Sequence, residues 1–198
     1  MPLIKLNNRS IKDVTSLPFG VGNLIHIQSQ TASASSSISF TGINGTYKEY
    51  QFYFINCHPS SDGAGFEFNL SSDSGSNYNV TKTTTSFITT HLENDSVSYL
   101  EYRTGEDLAQ SSAFQNLSND IGSDADQSFV GSLTLFNPSS TTYVKHFIVN
   151  TNGIGSNDKT VNSYIAGYGN TTSAINAIRF QFSSGNIDDG TIAMFGVV

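Results

Sequence analysis

The sequence predicts an all-β protein, an antiparallel β-sandwich of the jelly-roll type. Hydrophobic residues alternate with polar ones along many short segments, as in half-buried strands. Turn-forming stretches such as INGT, SSDGAG and TNGIGSND separate these segments. The segments follow one another at intervals of about 10–15 residues, which is typical of sandwiches and jelly rolls. We expect residues 23–198 to form one such domain, because 198 residues suffice for a full core.

Eleven segments of the sequence are predicted strands. In residues 49–56, Tyr50, Phe52 and Phe54 lie on one face, and Tyr53 and Ile55 lie on the other. Because both faces are apolar, we expect a central strand that is covered on both sides. The eleven segments are 23–29, 37–40, 49–56, 65–70, 86–92, 96–103, 128–137, 142–150, 162–168, 177–183 and 190–198.

One internal stretch departs from the strand pattern. In residues 105–122, the apolar side chains recur at near-helical spacing, and Glu106 and Asp107 precede them where the N-terminus of a helix favours anions. We therefore expect a short helix or an ordered crossover near 107–118. The apolar residues of this stretch are Leu108, Phe114, Leu117 and Ile121.

Residues 1–22 also differ from the rest of the chain. They alternate only weakly and carry three of the nine Lys and Arg residues. They are either an extended arm that docks on a neighbouring molecule or an edge strand of the same sandwich. The residues predicted to dock in the first case are Leu3, Ile4, Leu6, Ile11 and Val14.

Composition argues against several classes of partner. The net charge is -7 with only nine Lys and Arg residues, so the chain lacks the clustered cations that bind nucleic acid. No apolar run approaches the roughly 20 residues of a membrane span, and we expect no membrane insertion. The N-terminus has no hydrophobic signal-peptide core, so we expect synthesis in the cytoplasm. A single cysteine excludes an intrachain disulfide and a Cys-rich zinc site.

The only cysteine, Cys57, precedes His58, and Asp62 follows four residues later. A catalytic pair needs the imidazole within hydrogen-bonding reach of the sulfur. Adjacent residues of a strand point to opposite faces, and Pro59 keeps His58 extended. We therefore interpret this segment as a hairpin with a small buried cysteine. We predict no catalytic residue and no cofactor.

Two acidic pairs and four tyrosines are candidate binding residues. Asp124 with Asp126, and Asp188 with Asp189, each supply part of a calcium loop, but the adjacent glycines favour turn capping by the Asp side chains. A Tyr-rich surface could stack on sugar rings, but alternating tyrosines also serve sheet packing. The tyrosines considered for glycan contact are Tyr99, Tyr102, Tyr164 and Tyr168.

Several long segments, among them SFTGINGTYKEYQFYFINCHPSSDGAGFEFNLS, LFNPSSTTYVKHF and AGYGNTTSAINAIRFQFSSGNIDDGTIAMFGV, resemble structural proteins of marine bacteriophages, including cyanophages. The resemblance covers roughly residues 35–198 and lies in sequence texture, not in a catalytic motif. It implies a virion component, either a capsid decoration or a tail fibre or appendage. Such a protein would be assembled in the host cytoplasm and would contact other virion proteins and copies of itself. A glycan-binding module for host adsorption is the alternative, and a hydrolase is the weakest one.

Overall fold

A computed structural model describes residues 24–198 of the chain. The predicted docking arm, with Leu3, Ile4, Leu6, Ile11 and Val14, lies outside the described residues. Twelve strands form within the described range: β1 Leu24–Thr31, β2 Ile38–Thr41, β3 Glu49–Pro59, β4 Ala64–Ser71, β5 Lys82–Leu92, β6 Ser98–Tyr102, β7 Gln115–Ile121, β8 Phe129–Phe136, β9 Lys145–Gly155, β10 Lys159–Gly169, β11 Ala177–Phe182 and β12 Ile187–Val197.

All strand pairs are antiparallel. Eight strands run side by side in the order β6-β5-β10-β9-β8-β3-β12-β1, and four more follow the order β7-β4-β11-β2. The two series join where Ile121 of β7 pairs with Gly155 of β9. The protein is therefore all-β, and its antiparallel sheet is nearly closed like a barrel. The predicted all-β class is confirmed, and each of the eleven predicted segments contains a strand.

The helix predicted near 107–118 is not formed. Residues 103–114 are an ordered crossover of turns, and Gln115–Ile121 is strand β7. Leu117 and Ile121 are both buried, and their spacing of four residues fits a strand as well as a helix. The polar residues between them, such as Asn119 and Asp120, disfavour a helix because their side chains bond to the backbone. The Asn119 side chain does so here, accepting a hydrogen bond from the Asp120 N–H at 2.9 Å.

Strand β3 is central, but it is not covered on both faces. It pairs with β12 on one side and β8 on the other. Tyr50, Phe52 and Phe54 are buried, whereas Ile55 is 49% exposed on the outer face. The expectation that apolar residues on both faces imply cover on both faces was therefore wrong for this strand.

Phenylalanine rings fill one half of the interior. Phe180 of β11 lies between Phe52 and Phe54 of β3 and Phe66 of β4, at centroid distances of 5.5, 5.1 and 6.1 Å. Phe54 also contacts Phe129 of β8 at 5.5 Å. These rings are at most 2% exposed. The inner faces of β3 and β8 thus pack against those of β4 and β11.

The other half of the interior, between β7 and the inner faces of β5 and β10, is rich in hydroxyl groups. Ser86 and Thr90 of β5, Ser163 of β10 and Ser118 of β7 are buried, and their hydroxyl oxygens have no hydrogen-bond partner among the residues that the structure describes. Other polar groups there are bonded: Thr84 donates to the Gln115 side-chain oxygen at 2.6 Å. Polar contacts thus replace ring packing in this half.

Two lysines are buried on either side of Gly169, at the end of β10. Lys82 of β5 and Lys145 of β9 both pair with Gly169 in the sheet. The Lys82 amine donates to the Asn69 side-chain oxygen at 2.6 Å and to the Val80 carbonyl at 2.9 Å. Burial lowers the pKa of Lys82 to about 7, and it also lowers the pKa of Lys145. The Lys82 amine is therefore partly neutral near physiological pH.

Candidate functional site

Cys57 and His58 diverge, as the hairpin interpretation predicts. Asn56 has a φ of 49° and forms part of a bulge in β3. Cys57 is fully buried, and burial raises the pKa of its thiol to about 12. His58 Nε2 instead lies 3.2 Å from the carbonyl oxygen of Asp124. The Asp62 carboxylate accepts a hydrogen bond from the Ser123 N–H at 3.2 Å, so it stabilises a neighbouring turn.

Three of the four candidate aspartates line one cavity of about 560 Å³. Asp126, Asp188 and Asp189 line it, together with Asn56 and His58. Among the described residues, however, no three His, Cys, Asp or Glu side chains lie close enough to hold a metal ion. The Asp189 carboxylate accepts a hydrogen bond from the Gly190 N–H at 2.7 Å. In the Asp124 turn, the backbone carbonyl accepts from the Gln127 N–H at 2.9 Å. The Asp189 contact is one that a turn-capping carboxylate makes, whereas the Asp124 contact involves backbone atoms alone.

The four candidate tyrosines lie on two different surfaces. Tyr102 of β6 and Tyr164 of β10 flank Phe87 of β5 on the outer face of the sheet. The rings of Phe87 and Tyr164 are stacked at a centroid distance of 5.1 Å and an interplanar angle of 13°. Tyr99 pairs with Thr90 on the opposite, inner face of β6 and β5. The single Tyr-rich surface that the sequence suggested is therefore not formed.

Tyr168 lies further along the outer face, beside a groove of about 490 Å³. Its ring is 6.0 Å from that of His146, and Phe136 and Ile148 complete the apolar wall. The floor contains Gly167, where a Cβ atom would lie only 2.6 Å from the Thr83 carbonyl oxygen. A side chain at position 167 would therefore collide with strand β5.

The outer face of five adjacent strands, β6, β5, β10, β9 and β8, carries no Lys, Arg, Asp or Glu. We call this surface the uncharged outer face. Threonine, asparagine and serine alternate there with exposed apolar side chains. The large apolar residues on it that are at least 38% exposed are Phe87, Leu100, Tyr102, Val130, Ile148 and Tyr164.

On the inner side, a smaller cavity of about 220 Å³ opens beneath β6. Tyr99, Thr90 and Arg103 line one wall, and Asp120 and Lys159 line the other. The Lys159 amine donates to the Asp120 carboxylate in a close ion pair. This cavity lies beside the hydroxyl-rich half of the interior and brings together residues from four strands, β5, β6, β7 and β10, and the start of the crossover.

Sequence reasoning missed both the uncharged outer face and the cavity beneath β6. One signal was available: residues 99 and 102 are separated by an odd number of positions, so Tyr99 and Tyr102 must point to opposite faces of one strand. The contact between Phe87 and Tyr164 had no such signal, because it depends on the pairing of β5 with β10. That pairing joins segments that are far apart in the chain.

No protein-family model matches the chain, and no significantly similar curated protein or solved structure was found. Among the described residues, no helix has the length and hydropathy needed to span a membrane.

Proposed function

We propose that this protein is a structural component of a bacteriophage virion, a capsid decoration or a tail fibre or appendage protein. Its role is assembly and surface display, and it reaches the virion after assembly in the host cytoplasm. The resemblance of residues 35–198 to marine phage structural proteins supports this proposal. A rigid all-β domain with an aromatic interior also suits a particle that must persist outside cells.

The observation that carries the proposal is the uncharged outer face. The chain has a net charge of -7, so two copies repel each other across most of their surfaces. A face of five strands without a formal charge escapes that repulsion. Its exposed apolar side chains would gain free energy from burial in a contact. We therefore infer that a second copy of this chain binds to this face.

The edge strand β6 supports the same arrangement. Within the described residues it pairs only with β5, which leaves one side of its backbone unpaired. All five of its residues are exposed, and Leu100 is 69% exposed. An uncovered edge of this kind pairs readily with another strand unless it is blocked by charge or cover. Two copies related by a twofold axis could pair their β6 edges with each other and bury their outer faces in the same contact.

The finer architecture that we propose is a jelly-roll-like sandwich. Its support is the packing of β4 and β11 against β3 and β8 through phenylalanine rings. The eight-strand series would then be one layer, and β7-β4-β11-β2 the other. Such a layered domain leaves the outer face of the larger layer free for contacts.

Ile148→Glu tests the proposed contact in the full chain. Ile148 is 57% exposed on the uncharged outer face, so a carboxylate there should be tolerated by the fold. We expect the wild-type chain to sediment as a dimer or larger assembly and the variant to sediment as a monomer. Tyr143→Glu is the control, because Tyr143 is 70% exposed in a loop outside that face. A monomeric wild type, or an Ile148→Glu variant that still assembles, would contradict the proposal.

A second candidate function is glycan binding during adsorption to a host. Tyrosine placement favours it, because Tyr168 lines the outer groove and Tyr99 lines the cavity beneath β6. Aromatic rings at the walls of cavities are suited to the apolar faces of sugar rings. Repeated copies in a virion would convert weak binding at each site into avidity.

A further inference from the structure

The cavity beneath β6 combines an aromatic wall with apolar and polar groups. Tyr99 is 40% exposed there, and Ile88 and Val161 supply aliphatic surface. Thr90, directly opposite Tyr99 in the strand pair, is 4% exposed. Its hydroxyl oxygen has no hydrogen-bond partner in the described part of the chain. A buried hydroxyl without a partner is costly, which points to a ligand that supplies one.

The charged groups around this cavity are already paired. Lys159 binds Asp120, whose other carboxylate oxygen accepts a hydrogen bond from the Ser156 hydroxyl at 2.8 Å. Arg103 contacts Glu106 at 2.7 Å and Glu101 at 3.3 Å. Two cations therefore face three carboxylates. An anionic ligand would meet a slight excess of negative charge and would have to break existing ion pairs.

Neutral ligands with many hydroxyl groups fit these constraints. A hydroxyl both donates and accepts, so it can bond to a paired carboxylate, to the Asn119 amide and to the Thr90 hydroxyl without displacing an ion. The Asn119 amide is held in place because it donates to the Glu106 carboxylate at 2.8 Å. The flat apolar face of a sugar ring can pack on Tyr99. A volume of about 220 Å³ lies below the range of drug-sized sites, roughly 300–1,000 Å³, and suits one ring.

We propose that the cavity beneath β6 binds one neutral sugar ring. This inference rests on the second proposed function, glycan binding, and is independent of the assembly proposal. In this proposal, Tyr99 stacks on the sugar ring. The carboxylates of Asp120, Glu101 and Glu106 disfavour acidic sugars. It also separates Tyr99 from Tyr102 and Tyr164, which belong to the uncharged outer face.

The test uses the full chain and three neutral probes: methyl glucoside, methyl galactoside and methyl mannoside. Methyl glucuronide, the acidic counterpart of methyl glucoside, is the control ligand. Binding is followed by NMR titration into the millimolar range. We expect at least one neutral sugar to bind and Tyr99→Ala to weaken it by about tenfold or more. Thr90→Val, which keeps the side-chain shape, should weaken it by a few-fold. Tyr102→Ala is the control on the same strand and should leave binding unchanged.

An oligosaccharide array separates failure of this site from failure of glycan binding. If the chain binds array glycans and Tyr99→Ala binds them equally well, glycan binding stands and the cavity proposal fails. If neither the array nor the titrations show binding, both proposals fail. Tighter binding of the glucuronide than of the glucoside would overturn the assignment to a neutral sugar.

Discussion

The two halves of the interior differ in how they are held together. Between β3, β8, β4 and β11, phenylalanine rings contact one another in a continuous cluster. Between β7, β5 and β10, buried hydroxyls and amides replace the rings, and Ile88 and Val161 lie apart from the main cluster. The aromatic half therefore supplies most of the stability. The polar half can keep a cavity and unpartnered groups, because the fold does not depend on filling it.

The largest effect should come from removing a ring at the centre of the aromatic half. Phe180 contacts Phe40, Phe52, Phe54 and other rings and is fully buried. We expect Phe180→Ala to lower the free energy of unfolding by about 3–5 kcal/mol, through lost burial and the cavity left behind. Urea denaturation measures this change. The control Phe87→Ala, at a half-exposed ring, should lower it by about 1 kcal/mol or less. Equal losses of stability in the two variants would contradict the dominant role of the aromatic half.

The next largest effect should be a dependence of stability on pH that originates in Lys82. Its pKa is about 7 in the folded protein, whereas an exposed lysine in the unfolded chain has the ordinary value of 10.5. Between these two pH values the unfolded chain therefore binds more protons than the folded protein. The free energy of unfolding should therefore rise from pH 7 to 9, by up to about 1.4 kcal/mol per pH unit. Lys145, whose pKa is also lowered, adds in the same direction.

Above about pH 9 the buried thiol opposes this trend. The pKa of Cys57 is raised from 9.0 to about 12, so the folded protein keeps a proton that the unfolded chain loses. The stability gained from Lys82 should then be offset, and the maximum should lie about midway between the unfolded-state pKa values of 9.0 and 10.5. Urea titrations at pH 7, 8 and 9 test the rising part. Lys82→Met should reduce the slope of the free energy of unfolding against pH. The control Lys48→Met, at an exposed lysine, should leave that slope unchanged. Identical slopes for the wild type and Lys82→Met would contradict the assignment to Lys82.

The smallest effect should distinguish partnered from unpartnered hydroxyls in the polar half. Thr84 and Ser86 lie on the same face of β5. The Thr84 hydroxyl donates to Gln115 and accepts from the Leu108 N–H, whereas the Ser86 hydroxyl has no partner within residues 24–198. We expect Thr84→Val to cost about 1–3 kcal/mol, because it leaves two groups unbonded. Ser86→Ala should change stability by about 0.5 kcal/mol or less. Thermal denaturation of both variants measures the difference, which would vanish if the polar half were uniformly bonded.

Alternation in the sequence was sufficient to predict the strands, because one face of nearly every strand is buried. In residues 65–70, the alternating Phe66, Phe68 and Leu70 are fully buried, although Asn69 between them is buried as well. It failed at β7, where the spacing of Leu117 and Ile121 fits both a helix and a strand. Local sequence could not decide, since the packing of β7 against β9 and β10 determines the outcome.

The candidate binding surfaces were predicted less well than the fold. Lysines lie mostly at the surface of proteins, yet Lys82 and Lys145 are both buried. Asp120, Lys159 and Arg103 come together only because three distant segments meet beneath β6. The uncharged outer face likewise requires the strand order, which alternation does not specify. Each of these features depends on long-range pairing and not on local pattern.

A structure of the assembled particle, or of the full-chain oligomer, tests the central claim most directly. We expect neighbouring copies to meet across the uncharged outer face, with Phe87, Ile148 and Tyr164 buried between them. An assembly in which these three side chains remain in solvent, with copies joined through the charged surfaces of the domain, would contradict it.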